Sequence, residues 1–133
     1  MKTIALITCL FLLSASTVIG QEQLPEDYKD FKILIERTGS GFKLTNMQGG
    51  AWIQLSFSID NNKPQAIDEY GMTRLDKVSP KKDSNLTDYL FTITKTKDAI
   101  ILKGIEGTLW KELTFSLSKN QSQVINQYGM ADY

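Results

Sequence analysis

The sequence predicts a mainly β protein, in which two pseudo-symmetric repeats of three to four antiparallel strands form one small β-sandwich or barrel. Two observations predict this class. Residues 30–72 reappear without gaps 58 positions later, at 88–130. Within each copy apolar residues recur at every second position, which is the period of a half-buried strand. Two copies are too few for a solenoid, so we expect them to pack together as a single domain, 21–133.

The internal repeat covers 43 aligned positions, of which 15 are identical. Ten of these fall within 52–72, where composition alone would give roughly one or two. The predicted organisation is therefore repeat one at 30–72, a linker at 73–87 and repeat two at 88–130. The identical positions in the first copy are Asp30, Ile35, Thr38, Leu44, Gly49, Trp52, Leu55, Phe57, Ser58, Asn62, Gln65, Ile67, Tyr70, Gly71 and Met72.

Each copy begins with two short strands. In the first copy Phe31, Ile33 and Ile35 alternate with other residues, and Phe42 and Leu44 follow a Gly-Ser-Gly segment. The second copy repeats this pattern 58 residues later. Two alternating runs that flank a turn segment are typical of a β-hairpin.

A third strand follows in each copy. In the first copy Ile53, Leu55, Phe57 and Ile59 are predicted to face the core together. In the second copy Lys111 stands where the first copy has Ile53. We therefore expect that end of the second copy's strand to be exposed.

The phrase QAIDEYGM at 65–72 returns as QVINQYGM at 123–130, and it allows two interpretations. As a strand, it would pair back on the third strand, and Gly71 would mark a bulge or a close backbone approach. As a short helix, it would be capped by Asn62 and end at Gly71. The short length and the Val-Ile pair of the second copy favour the strand.

The first 20 residues have the pattern of a secretory signal peptide. Lys2 precedes an apolar run, and Val18 and Gly20 suit the −3 and −1 positions of a cleavage site. A retained membrane anchor is the alternative. Cleavage would remove Cys9 and leave a cysteine-free mature chain without disulfides. We therefore expect a secreted or periplasmic protein with no membrane insertion after cleavage.

Composition excludes several catalytic chemistries. The chain has no histidine, which rules out Ser-His-Asp and Cys-His catalysis, and thiolate zinc sites and glycine-rich phosphate loops are also missing. Lys plus Arg and Asp plus Glu both number 15, so nothing points to nucleic acid. We expect a protein that is not an enzyme, with no catalytic residues, metal or cofactor.

Three carboxylates are the remaining candidates for acid–base chemistry. Asp60, Asp68 and Glu69 lie close together, but the second copy replaces them with Ser, Asn and Gln. We interpret them as polar side chains that satisfy turns. A glycosidase-like carboxylate hydrolase is one alternative function. A structural protein that assembles through strand edges is the other.

The candidate ligand-binding residues are Trp52, Trp110, Tyr70 and Tyr128. If the alternation holds, both tryptophans lie on the polar face of the third strand, where an indole can stack on a sugar or a flat apolar group. We favour the other interpretation, that a bulge next to the glycine turns each indole inward or that the other repeat covers it. The tyrosines are interpreted first as core aromatics and second as binding residues. We expect a non-enzymatic domain that binds a protein partner or a small molecule.

The motif G-x-x-W-x-x-L-[ST]-F-S-[IL], followed by N-x-x-Q-x-I-[DN]-[EQ]-Y-G-M, resembles a group of uncharacterised small secreted proteins of flavobacteria and related Bacteroidota. The resemblance covers nearly the whole mature chain, and Gln21 just after the cleavage site is similar to exports of that phylum. It implies a Gram-negative host and a periplasmic or extracellular location. It implies no activity, ligand or catalytic residue.

Overall fold

The computed structural model describes residues 28–78 and 82–133. The predicted signal peptide at 1–20, with Cys9, lies outside these residues. A 3-10 helix spans Leu75–Lys77. The strands are β1 Lys32–Arg37, β2 Gly41–Gln48, β3 Gln54–Ser58, β4 Gln65–Asp68, β5 Gly71–Thr73, β6 Leu90–Lys95, β7 Ile100–Glu106, β8 Glu112–Phe115, β9 Ser122–Asn126 and β10 Gly129–Ala131.

These strands form two antiparallel sheets of five strands each. Sheet one has the order β10-β9-β1-β2-β3, and sheet two has the order β5-β4-β6-β7-β8. The two sheets pack together as a small β-sandwich and do not close into a barrel. The predicted mainly β class is confirmed in its sandwich form. Each repeat supplies five strands rather than three to four, because its closing phrase folds into two strands.

The two repeats exchange these closing hairpins. The hairpin β4–β5 comes from the first repeat but joins sheet two, where Ile67 of β4 lies opposite Phe91 of β6. In the same way β9–β10 joins sheet one, where Ile125 lies opposite Ile33 of β1. The preference for a strand at 65–72 is confirmed. The predicted pairing with the third strand is wrong, because β3 lies at the edge of the opposite sheet.

Equivalent strands keep the same register in both sheets. Ile35 lies opposite Leu44 in the pair β1–β2, and Ile93 lies opposite Leu102 in the pair β6–β7, 58 residues later. Both pairs also carry a register shift near the start of the first strand. A shift of one residue would turn every core side chain to the solvent, so matching registers keep the apolar faces of both sheets inward.

The core lies between the two sheets. The rings of Phe31 and Tyr89, which occupy equivalent positions, stack across it with centroids 4.4 Å apart. Burial of apolar side chains in a close-packed interior of this kind supplies most of the stabilisation of a small domain. The side chains less than 2% exposed are Tyr89, Phe31, Phe42, Phe91, Ile33, Ile35, Leu44, Ile67, Ile93, Ile100, Leu102 and Ile125.

The start of the third strand differs from the prediction. Ile53 was expected in the core, but it is 81% exposed. The regular strand begins only at Gln54, and the preceding Trp52 turns inward instead, so the alternation is reset between them. Leu55 and Phe57 are only half-buried, because β3 is an edge strand. Lys111 is exposed, as predicted.

Candidate functional site

Both tryptophans are buried, with Trp52 9% and Trp110 8% exposed. The indole Nε1 of Trp52 donates to the carbonyl oxygen of Asp68 at 3.1 Å, and that of Trp110 donates to the carbonyl oxygen of Asn126 at 2.9 Å. Each indole thus connects the end of one sheet to the hairpin carried by the other. The favoured interpretation, in which the indoles turn inward, is confirmed, and the less favoured one, an indole open on the polar face, is wrong.

A second contact fixes Trp52 in the core. Its Nε1 also lies 3.1 Å from the hydroxyl oxygen of Tyr89, which accepts the hydrogen bond. Burial raises the pKa of the Tyr89 hydroxyl, and the hydrogen bond from Trp52 only partly opposes this effect. Tyr89 is therefore a neutral core side chain. It has no titration of its own in the physiological range.

The two candidate tyrosines lie at the tips of the exchanged hairpins. Tyr70 is 44% and Tyr128 46% exposed, so the interpretation as core aromatics is wrong. The reason is the tight turn, in which two residues separate the paired ends of the strands. In each turn one of these two residues points into the protein and the tyrosine points out. The inward residue is Glu69 in the first hairpin and Gln127 in the second, each 3% exposed.

The aspartate of the phrase has the turn role predicted for it. Asp68 Oδ1 accepts the backbone N–H of Tyr70 at 2.8 Å. Asn126 Oδ1 accepts the N–H of Tyr128 at the same distance in the second hairpin. Gly71, with φ of +123°, completes the turn in a conformation that side chains disfavour. The identical glycine in both copies is thus explained by backbone geometry.

Glu69 and Gln127 hold the hairpins to the opposite repeat. Glu69 Oε1 accepts the backbone N–H of Tyr89 at 3.3 Å, and Gln127 Oε1 accepts that of Phe31 at 3.1 Å. Gln127 Nε2 also donates to Asp30 Oδ1 at 2.6 Å. In both repeats, the buried side chain occupies an equivalent position and has an equivalent backbone partner.

At this position the two repeats differ in chemistry, because the first buries a carboxyl group and the second an amide. Burial raises the pKa of Glu69 above its ordinary value of 4.5. Hydrogen bonds from the backbone N–H groups of Glu69 and Tyr89 oppose the rise, and the charges of Asp88 and Asp68 add to it. Glu69 thus occupies the position of Gln127 with a group whose protonated form is favoured by burial.

The three candidate carboxylates do not converge on a site. Asp60 is exposed on the segment between the sheets, whereas Asp68 and Glu69 are buried and bonded to backbone N–H groups. None of the three lines the groove described below. In the part of the chain that the structure describes, no group of three or more His, Cys, Asp or Glu side chains could hold a metal ion.

The outer face of sheet two carries a groove of about 570 Å³. Its apolar lining comes from Pro64 and Leu75 on one side and from Ile101 and Ile105 of β7 on the other. Such a volume falls within the range of small-molecule sites. The apolar side chains are set apart from the core and leave a surface that a ligand can cover.

Threonine side chains of β6 form the floor of this groove. Thr92 and Thr94 point outward because they alternate with the core residues Phe91 and Ile93. Thr92 is nevertheless only 6% exposed, and its hydroxyl has no hydrogen-bond partner among the described residues. A buried hydroxyl without a partner costs about 1–3 kcal/mol. This hydroxyl is therefore suited to a polar atom of a ligand.

Two lysines line the side of the groove near β8. Neither Lys103 nor Lys111 forms an ion pair with any described residue. The groove lining contains no carboxylate. Glu112 lies opposite Lys103 in the β7–β8 register, but it is not part of the lining. The electrostatic character of the groove is cationic at this side.

The equivalent face of sheet one is built differently. Glu36 and Lys43 stand at the positions of Thr94 and Ile101, and their side chains form an ion pair with an Nζ–Oε1 distance of 3.8 Å. In sheet two the same two positions leave the face open. Of the eleven lining residues, only Asn62 and Thr96 are identical in the first and second repeats. The repeats thus keep a common core and differ on the outer face.

The sequence did not predict this groove. Thr92 and Thr94 were recognisable as outward residues. Pro64 of the first repeat and Leu75 of the linker meet them only through the hairpin exchange. One difference between the copies could have indicated the groove. Ile101 stands where the first copy has Lys43, on a strand whose core residues are apolar in both copies.

Comparison with known proteins gives no relatives for this arrangement: no family model, no curated protein and no solved structure matches the chain. None of the helical segments in residues 28–78 and 82–133 has the length and hydrophobicity needed to cross a bilayer.

Proposed function

We propose that the protein is a non-enzymatic binding domain, secreted or periplasmic, and that the outer face of sheet two binds a small molecule with an apolar body. The predicted signal peptide at 1–20 and the resemblance to secreted proteins of Bacteroidota support the location. The apolar groove on the outer face of sheet two supports the position of the binding site. The observation that carries the proposal is the difference between the two outer faces, one crossed by an ion pair and the other open.

The groove offers a hydrophobic gain that a bound ligand would realise. Leu75 is 56% and Ile105 48% exposed. Covering apolar surface yields about 25 cal/mol for each Å² removed from water. The floor and the β7 side of the groove lie on paired strands, so little ordering of these residues is needed on binding.

The test uses a neutral fluorescent probe, N-phenyl-1-naphthylamine, titrated into the purified protein. The variant Ile101→Lys gives sheet two the residue of sheet one and should weaken binding by about tenfold, equivalent to about 1.4 kcal/mol. The matched control Thr45→Lys places the lysine of sheet two on the outer face of sheet one and should leave binding unchanged. Absence of binding by the natural protein, or equal binding by Ile101→Lys, would overturn the proposal.

The two alternative functions have less support. A carboxylate hydrolase needs an acid pair across a cleft, whereas the oxygens of Asp68 and Glu69 are bonded to backbone N–H groups. Assembly through a strand edge is best supported at β3, the longest of the four edge strands, whose residues 54–58 carry no charge. Light scattering measures it directly, since a monomer at high protein concentration would remove this alternative.

A further inference from the structure

We infer that the ligand of this groove is an amphipathic anion, a molecule with an apolar body and one acidic group, whose charged end lies at Lys103 and Lys111. This inference rests on the proposed binding function. It adds the chemical class of the ligand and its direction across the sheet.

The direction follows from the strand order. In sheet two β4 lies on one side of β6, and β7 and β8 lie on the other. Pro64, which precedes β4, and Leu75 line the first side of the groove, whereas Lys103 of β7 and Lys111, just before β8, line the second. Among the lining residues, positive charge therefore lies on the β7–β8 side alone, next to Ile101 and Ile105. An elongated ligand would lie perpendicular to the strands, with its acidic group above β7–β8.

The negative charge of the ligand is inferred from the absence of carboxylates that would compete for the two lysines in the groove lining. Both ammonium groups are exposed and have no ion-pair partner among the described residues, and the lining contains no carboxylate. A cationic end with no internal counter-ion is complementary to an anion and repels a cation. Glu112, opposite Lys103, is the nearest competitor in the register. Removing its charge should therefore strengthen the attraction for an anion.

Thr92 supplies the polar contact in the middle of the groove. Its register partner on β7 is Lys103, so the unpartnered hydroxyl and the lysine lie side by side. A hydroxyl both donates and accepts a hydrogen bond. An acidic group bound at Lys103 would thus lie close to the Thr92 hydroxyl, a donor that no described residue uses.

The experiment compares two probes of similar aromatic body: the sulfonate 8-anilinonaphthalene-1-sulfonate and the neutral N-phenyl-1-naphthylamine. Exposed ion pairs contribute about 0.2–1 kcal/mol each, so the double variant Lys103→Gln/Lys111→Gln should bind the sulfonate about 2- to 30-fold more weakly. Its affinity for the neutral probe should not change. Glu112→Gln should bind the sulfonate more tightly. The control Lys119→Gln, between β8 and β9 and outside the groove lining, should behave as the natural protein.

Salt gives an independent readout. Raising the ionic strength from about 0.01 M to about 1 M shortens the Debye length from about 30 Å to about 3 Å, so sulfonate binding should weaken and neutral binding should not. If both probes bind and neither the lysine variants nor salt separates them, the anionic class is wrong while the binding site stands. If neither probe binds, or Ile101→Lys changes neither titration, the binding site itself is wrong.

Discussion

Replacing Glu69 with glutamine should stabilise the protein, and the gain should grow with pH. Glu69 is 3% exposed and accepts the backbone N–H of Tyr89 at 3.3 Å. A glutamine keeps that acceptor and removes the buried charge. The second repeat shows that an amide fits there, because Gln127 accepts the N–H of Phe31 and donates to Asp30.

The sign of the pH dependence follows from the raised pKa. The folded protein holds the Glu69 proton at pH values where the unfolded chain has released it. The stabilisation that protonated Glu69 contributes is therefore complete below about pH 4.5, the ordinary pKa of a glutamate. It is lost as the pH rises through the raised pKa of the folded protein. Each tenfold change in the acid dissociation constant corresponds to about 1.4 kcal/mol. Glu69→Gln removes this loss.

The magnitude at neutral pH has two parts. One is the relief of the buried charge, and the other is a new hydrogen bond from the glutamine amide to Asp88, the counterpart of Asp30. Hydrogen bonds to charged groups contribute about 1.5–3 kcal/mol, but the side chain of Asp88 is 48% exposed, so solvent weakens this one. We expect a net gain of about 1–2 kcal/mol near pH 7.

The assay is urea unfolding followed by tryptophan fluorescence, from about pH 4 to about pH 8. The reciprocal variant Gln127→Glu is the control, because it buries a second carboxylate beside Asp30 and should lose stability with rising pH. A Glu69→Gln protein less stable than the natural one at neutral pH would refute the reasoning. So would a difference between them that does not change with pH.

Two further predictions follow from the groove and from the hairpin exchange. Thr92→Val should stabilise the fold by about 1 kcal/mol in thermal unfolding, because it removes a buried hydroxyl without a partner. The control Thr96→Val should destabilise it, since Thr96 Oγ1 accepts the N–H of Ala99; the opposite order would contradict the hydrogen-bond assignments. A protein cut at a protease site introduced into 79–81 should remain a 1:1 complex in gel filtration, because each sheet takes strands from both repeats. Elution as two separately folded halves would be incompatible with that exchange.

Local sequence patterns were sufficient for the class of fold but not for the strand pairing. Alternation at Phe31, Ile33 and Ile35 predicts an inward strand face because the period of a strand is two. The pairing of β4 with β6 rather than β3 depends on contacts between distant segments, which no local period encodes. The interrupted alternation before β3 has the same cause, since Trp52 turns toward the hairpin in the opposite sheet and leaves Ile53 in solvent.

The candidate site was missed for two physical reasons. The predicted site consisted of aromatic residues. Trp52 and Trp110 instead donate their indole N–H groups to the hairpins, and a tight turn places Tyr70 on the surface. The groove depends on side chains from both repeats, and its open centre depends on Ile101 replacing a lysine. Neither feature has a signature within a short stretch of sequence.

The central claim is that the outer face of sheet two binds the ligand, and a two-dimensional ¹H–¹⁵N NMR titration with N-phenyl-1-naphthylamine tests it most directly. The account predicts shifts confined to the backbone amides around Thr92, Thr94, Ile101 and Lys103, with little change around Glu36 and Lys43 on sheet one. Shifts centred on Glu36 and Lys43, or spread evenly over both sheets, would contradict it.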